Sequence, residues 1–112
     1  MNVETSARSL PEGFAELERF VVAWALETER QRNRKRLSSS MEEIRDFYTA
    51  MLRHMEALLD HLARFRLREL PAAEERLLHL ALSLMEVAPA VEIYSAPDVP
   101  DAIEADRFHI EK

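Results

Sequence analysis

Seven apolar residues in the middle of the chain, Ile44, Tyr48, Met51, Met55, Leu58, Leu62 and Phe65, follow one another at spacings of 4, 3, 4, 3, 4 and 3. Only an α-helix gathers such positions on one side, because 3.6 residues complete a turn. Phe47, Leu52 and Leu59 broaden the stripe, while Glu42, Asp46, Thr49, Arg53, Glu56, Asp60 and Arg64 recur at helical spacing on the opposite face. The pattern predicts a long amphipathic helix over 40–66. A helix of that length runs roughly 40 Å, about the longest dimension of a small domain, so the rest of the chain must pack along it. Ser40 with Glu43, and Ser39 with Glu42, have capping-box spacing and mark its start.

Composition narrows what can surround this helix. The chain of 112 residues has one glycine, Gly13, and no cysteine. Tight β-turns need residues that accept positive φ, so an all-β sandwich is disfavoured. A single glycine cannot supply a dinucleotide fingerprint, a Walker phosphate loop or a nucleophile elbow. Without cysteine the chain has no thiol nucleophile, Cys-ligated zinc, iron–sulfur cluster or disulfide of its own. The expected fold class is all-α, a small bundle of three main helices with a short polar helix.

The first main helix is expected over 13–26, with Phe14, Leu17, Val21 and Trp24 at spacings of three and four, widened by Phe20 and Val22. The polar helix is expected over 28–37, opened by a capping box of Thr28 and Gln31. Pro71 opens the third main helix, expected over 71–88, with Glu74 and Glu75 suited to the positive end of its dipole. Residues 77–88 are apolar nearly all round, leaving a thin stripe of Arg76, His79, Ser83 and Glu86. Such a helix must be enclosed. Pro89 should stop or kink it, with another turn or two over 90–94. The expected organisation is one domain: a mobile lead-in over 1–12, a helical core over 13–94, and an extended tail over 95–112, whose Phe108 and Ile110 suit docking on a surface.

The longest stretch free of Asp, Glu, Lys and Arg, 77–85, falls far short of the ~20 residues that span a bilayer. The first residues lack the apolar core of a secretory signal. We therefore expect no membrane association and a cytoplasmic protein.

Two groups of residues bear on function. His54 and His61 lie seven apart on the long helix, and His79 and Glu86 lie seven apart on the next. Antiparallel packing could bring all four into a polar acid–base or metal site, the basis of an alternative reading as a small-molecule or metal-binding enzyme. Against it, none of His54, His61 and His79 is preceded by an acid at the Glu-x-x-His offset of bundle metal sites. Glu86 reads as a carboxylate reaching solvent or an arginine. No metal ligand set and no cofactor is expected.

The second group is the basic run Arg30, Arg32, Arg34, Lys35 and Arg36. Taking its five charges from the net −6 leaves −11 on the remainder. An acidic body repels phosphate and no aromatic residues interleave for base stacking, which argues against nucleic acid. An acidic protein partner suits the run better, and a plainly solvated helix suits it best, since Leu37 alone is apolar there. The leading expectation is a non-enzymatic interaction or accessory protein that forms a homodimer. Its interface is expected on the first and third main helices, at Phe20, Trp24, Leu78, Leu82 and Met85.

Overall fold

The structure, a computed structural model, is described here for residues 9–94. It is all-α. A 3-10 helix, Ala15–Phe20, runs into α1 (Val21–Trp24) and is followed by α2 (Glu29–Ser38) and α3 (Met41–Leu62). A 3-10 turn, Leu67–Glu69, then leads to α4 (Ala72–Pro89) and a π-helical turn, Ala90–Tyr94. The tail over 95–112, with Phe108 and Ile110, lies outside the described residues.

The chain is fastened from Ser9 onward, where a mobile lead-in was expected. The Glu18 carboxylate accepts from the Ser9 N–H at 2.9 Å, the Ser9 hydroxyl at 2.9 Å and the Leu10 N–H at 2.7 Å. Leu10 is buried. A turn follows in which the Phe14 N–H reaches the Pro11 carbonyl, with Gly13 at φ 101°. A positive φ at the third position of a β-turn favours glycine.

The segment expected as one α-helix over 13–26 is mostly 3-10. Its buried residues explain why. Phe14, Leu17 and Phe20 recur every three residues, and a 3-10 helix eclipses i and i+3. The tighter winding sets all three against the core. The chain then relaxes to α geometry for one turn and buries Trp24.

Both serine- and threonine-led starts form as the spacing predicts. Thr28 and Gln31 make the full reciprocal capping box of α2. The Ser40 hydroxyl accepts from the Glu43 N–H at the start of α3. The reciprocal half is not used there, because the Glu43 carboxylate is taken by Lys35 at 2.7 Å. The long helix ends at Leu62, four residues short of the expected 66, and the Ala63 N–H closes onto the Leu59 carbonyl. At 22 residues it spans about 33 Å. Pro89 widens α4 into the π turn, as suits a residue with no N–H to give to the preceding turn.

Helices α3 and α4 form an antiparallel hairpin joined near both ends. His61 Nε2 meets Glu74 Oε2 at 2.8 Å, and the Tyr48 hydroxyl donates to the Glu92 carboxylate. Along the hairpin lies one apolar core, formed by Ile44, Phe47, Met51 and Leu58 of α3 with Leu77, Leu80, Leu84 and Val87 of α4. The N-terminal arm covers it with Leu17, Phe20 and Trp24. Trp24 stacks on Phe47, ring centroids 4.5 Å apart and planes within 8°, and Phe20 meets the same ring edge-on at 5.4 Å. The Trp24 carbonyl accepts from the Leu26 N–H and from the fully buried Ser83 hydroxyl. That contact ties α1 to the middle of α4.

Candidate functional site

The four residues expected to converge are held apart. His54 turns Nδ1 to the Ala50 carbonyl at 3.0 Å and Nε2 to Glu16 at 3.2 Å, so both ring nitrogens face protein oxygens. His61 is bound to the buried Glu74, with its ring between Phe14 at 5.7 Å and Phe65 at 5.6 Å. His79 lines a cleft of about 230 Å³ between α1 and the start of α4, with Val21, Ala25, Glu27, Ala72, Glu75 and Arg76. Glu86 lies seven residues further along α4 and faces α2. The two histidines of α3 thus look toward the N-terminal arm, while His79 and Glu86 look toward α1 and α2. Among the described residues no three His, Asp or Glu side chains stand close enough to share a metal ion.

Glu86 meets an arginine, as its place on the thin polar stripe suggests. Its Oε2 accepts from Arg36 Nε at 2.9 Å and from the Asn33 side-chain amide at 3.3 Å. The plainly solvated reading of the basic run is therefore corrected. Arg36 is buried, and Lys35 reaches Glu43 while its ammonium stands 5.0 Å over the Trp24 ring. Arg32 donates to the Leu26 carbonyl at 2.8 Å. Arg30 and Arg34 remain on the exposed side. Sequence reasoning missed this because it sought an apolar face on α2, whereas the buried face is made of a guanidinium and an amide that find one carboxylate.

The balance of forces on α2 follows. Its one apolar residue, Leu37, is 47% exposed and adds roughly 1 kcal/mol. Breaking a buried ion pair by removing one partner costs about 3–5 kcal/mol, and the Arg36 and Glu86 side chains are 10% and 20% exposed. Polar contacts, more than apolar burial, hold this helix down.

The residues expected at an interface divide into two sets. Phe20 and Trp24 are core residues of the single chain, closed in by Phe47, so they are removed from any interface. The phenyl ring of Phe47 sits on the arm side of α3, and that is where the two aromatic side chains go. The α4 residues behave differently. Leu78 and Leu82 are half-buried and Met85 is 67% exposed. With Pro89 they follow spacings of 4, 3 and 4 and form an open apolar stripe.

A second stripe adjoins it. Leu52 and Leu59 of α3, seven residues apart, are 50% and 56% exposed, and Tyr48 and Met55 flank them at helical spacing. The Tyr48 hydroxyl meets the carboxylate of Glu92 in the π-helical turn that follows α4. Tyr48 lies one turn before Leu52, so the Leu52–Leu59 margin of α3 is the one turned toward α4 and away from the arm contacts of Asp46 and His54. Leu52 and Leu59 were readable as the outer margin of the heptad seam, but nothing in the spacing says which margin the arm leaves open.

The remaining polar features of α3 belong to its rim. Arg19 and Asp46 pair through two contacts, 2.8 and 3.2 Å. Hydrogen bonding to Arg19 lowers the Asp46 pKa below its usual value. Exposed pairs of this kind contribute little to stability. The Tyr48 pKa is raised, chiefly by its hydrogen bond to Glu92. No helix among the described residues is long and apolar enough to cross a membrane. Comparison of the chain with protein-family models, with curated proteins and with solved structures finds no match.

Proposed function

We propose that the protein is a small helical interaction protein that pairs with a second copy of itself through the outer face of the α3–α4 hairpin. The observation that carries this reading is the open stripe of Leu78, Leu82, Met85 and Pro89 on α4 together with the exposed Leu52 and Leu59 on the margin of α3 turned toward it. Soluble monomers rarely leave contiguous apolar patches of more than a few hundred Å² open. Two-fold pairing of one patch with its copy is the commonest way to close one. Two hairpins meeting face to face give a four-helix arrangement, a stable solution for antiparallel helices.

The strength of the pairing can be bounded. Leu52, Leu59 and Met85 each keep roughly half of their burial energy unrealised, about 1 kcal/mol apiece. Across two chains this comes to about 6 kcal/mol, with a further contribution from Leu78 and Leu82. Association itself costs at least ~4 kcal/mol. The net gain of about 2 kcal/mol, raised by Leu78 and Leu82 to about 4 kcal/mol at most, makes the expected dimer weak, dissociating at about 1 mM or above.

Sedimentation across that range tests the reading. The native chain is expected to shift from monomer toward dimer, and Leu59→Lys or Met85→Lys to remain monomeric with an unchanged melting temperature. A native chain that stays at 13.0 kDa at the highest concentration refutes it.

A further inference from the structure

We propose that α2 is a flap that opens as a unit, held shut over Trp24 by the Glu86 carboxylate. The attachment of α2 does not involve the apolar outer face of the hairpin.

Both ends of α2 run into extended residues. Thr28 has φ −119° and ψ 155°, and Ser39 has φ −102° and ψ 152°. Ser40 is extended as well. Two extended junctions therefore separate α2 from α1 on one side and from α3 on the other.

The helix also carries its own caps. At the N-terminus the Gln31 side chain accepts from the Glu27 and Thr28 N–H groups, and the Thr28 hydroxyl accepts from the Gln31 N–H. At the C-terminus the Ser38 and Ser39 hydroxyls both donate to the Lys35 carbonyl. None of these bonds reaches α3 or α4, so α2 can detach without first breaking them, and the Ser40 cap of α3 stays in place. A helix tied into its neighbours by apolar knobs would have no such independence.

What fastens α2 is chiefly polar. Glu86 holds Arg36 and Asn33, and Glu43 holds Lys35. Beneath it lies the indole of Trp24, with the Lys35 ammonium over the ring. Withdrawing the charge of Glu86 removes the carboxylate that two side chains of α2 share, while the apolar contacts between α3 and α4 are untouched. Once released, ten residues are too few to keep a helix stable alone in water, so the open flap frays and uncovers Trp24.

Native-state hydrogen exchange in low urea tests this on the unaltered protein. Amides of α2 are expected to exchange at least about tenfold faster than the buried amides of α3, with a rate nearly independent of urea, as for local opening. In Glu86→Gln the α2 amides should exchange at least about tenfold faster again, and acrylamide quenching of Trp24 should rise, with α3 and α4 unchanged. If the α2 amides of the unaltered protein exchange only through the urea-dependent global route, the flap is refuted without recourse to any variant. Equal acceleration in α2, α3 and α4 of Glu86→Gln also refutes it, because the carboxylate would then support the whole fold.

Discussion

Ser83→Ala isolates the bond that ties the N-terminal arm to α4. The Ser83 hydroxyl is fully buried and donates to the Trp24 carbonyl. Trp24 is the last residue of α1, where a helix leaves carbonyls without intrahelical partners. The same carbonyl also accepts from the Leu26 N–H at 2.8 Å. Loss of the hydroxyl therefore removes one of two donors, and the oxygen is not left bare. The cost is that of a net hydrogen bond, about 1 kcal/mol, and not the larger penalty of an orphaned buried acceptor, up to about 3 kcal/mol. Alanine is smaller by one oxygen atom, so the added void is slight. For a domain of this size a loss of about 1 kcal/mol lowers Tm by roughly 4–8 °C. Urea unfolding followed by the emission of Trp24 measures the change. A Ser83→Ala variant as stable as the parent would show that the bond contributes nothing net. A loss above about 3 kcal/mol would show that the Leu26 donor does not compensate.

Two further expectations concern the arm and its rim. Gly13→Ala should destabilise by about 1 kcal/mol in thermal melts, through backbone strain alone, because no atom lies within 4 Å of the added Cβ while φ is 101°. Asp46 has a lowered pKa in the folded chain, so its contribution is present above the ordinary aspartate range and is lost as pH falls through the lowered value; because both side chains are more than half exposed and screened by water, Asp46→Asn should lower Tm only slightly at neutral pH and not at all once Asp46 is protonated, and a large loss at neutral pH would refute the assignment of this pair to the solvated rim.

The features written in the sequence are those set by local spacing. The long helix, both helix starts at Thr28 and Ser40, and the opening of α4 after Pro71 each rest on residues within a few positions of one another. What escaped depends on partners far along the chain. The 3-10 winding was visible in the period of three from Phe14 to Phe20, but Val21 and Trp24 imitate an α-helix and masked it. Trp24 reads as a marginal aromatic until Phe47 is known to lie against it. Arg36 reads as a surface charge until Glu86, 50 residues away, is placed beneath it. The dispersal of His54, His61, His79 and Glu86 has the same origin, since seven-residue spacing fixes a side of each helix but not which neighbour that side meets.

The way the arm is fastened also bears on the order in which the chain assembles. The hairpin contact of His61 with Glu74 closes 13 residues, whereas Ser83 reaches Trp24 across 59 and Arg76 reaches the Ser9 carbonyl across 67. Going from the shortest of these loops to the longest adds about 1.5 kcal/mol of closure entropy, before any contact of the arm repays it. The hairpin is therefore expected to zip first and the arm to dock on it afterwards. In stopped-flow refolding, far-ultraviolet dichroism should lead and the change in indole emission should lag, whereas identical rates would mean that arm and hairpin close together. The only tryptophan in the chain thus stands at a joint expected to be made after the hairpin has closed.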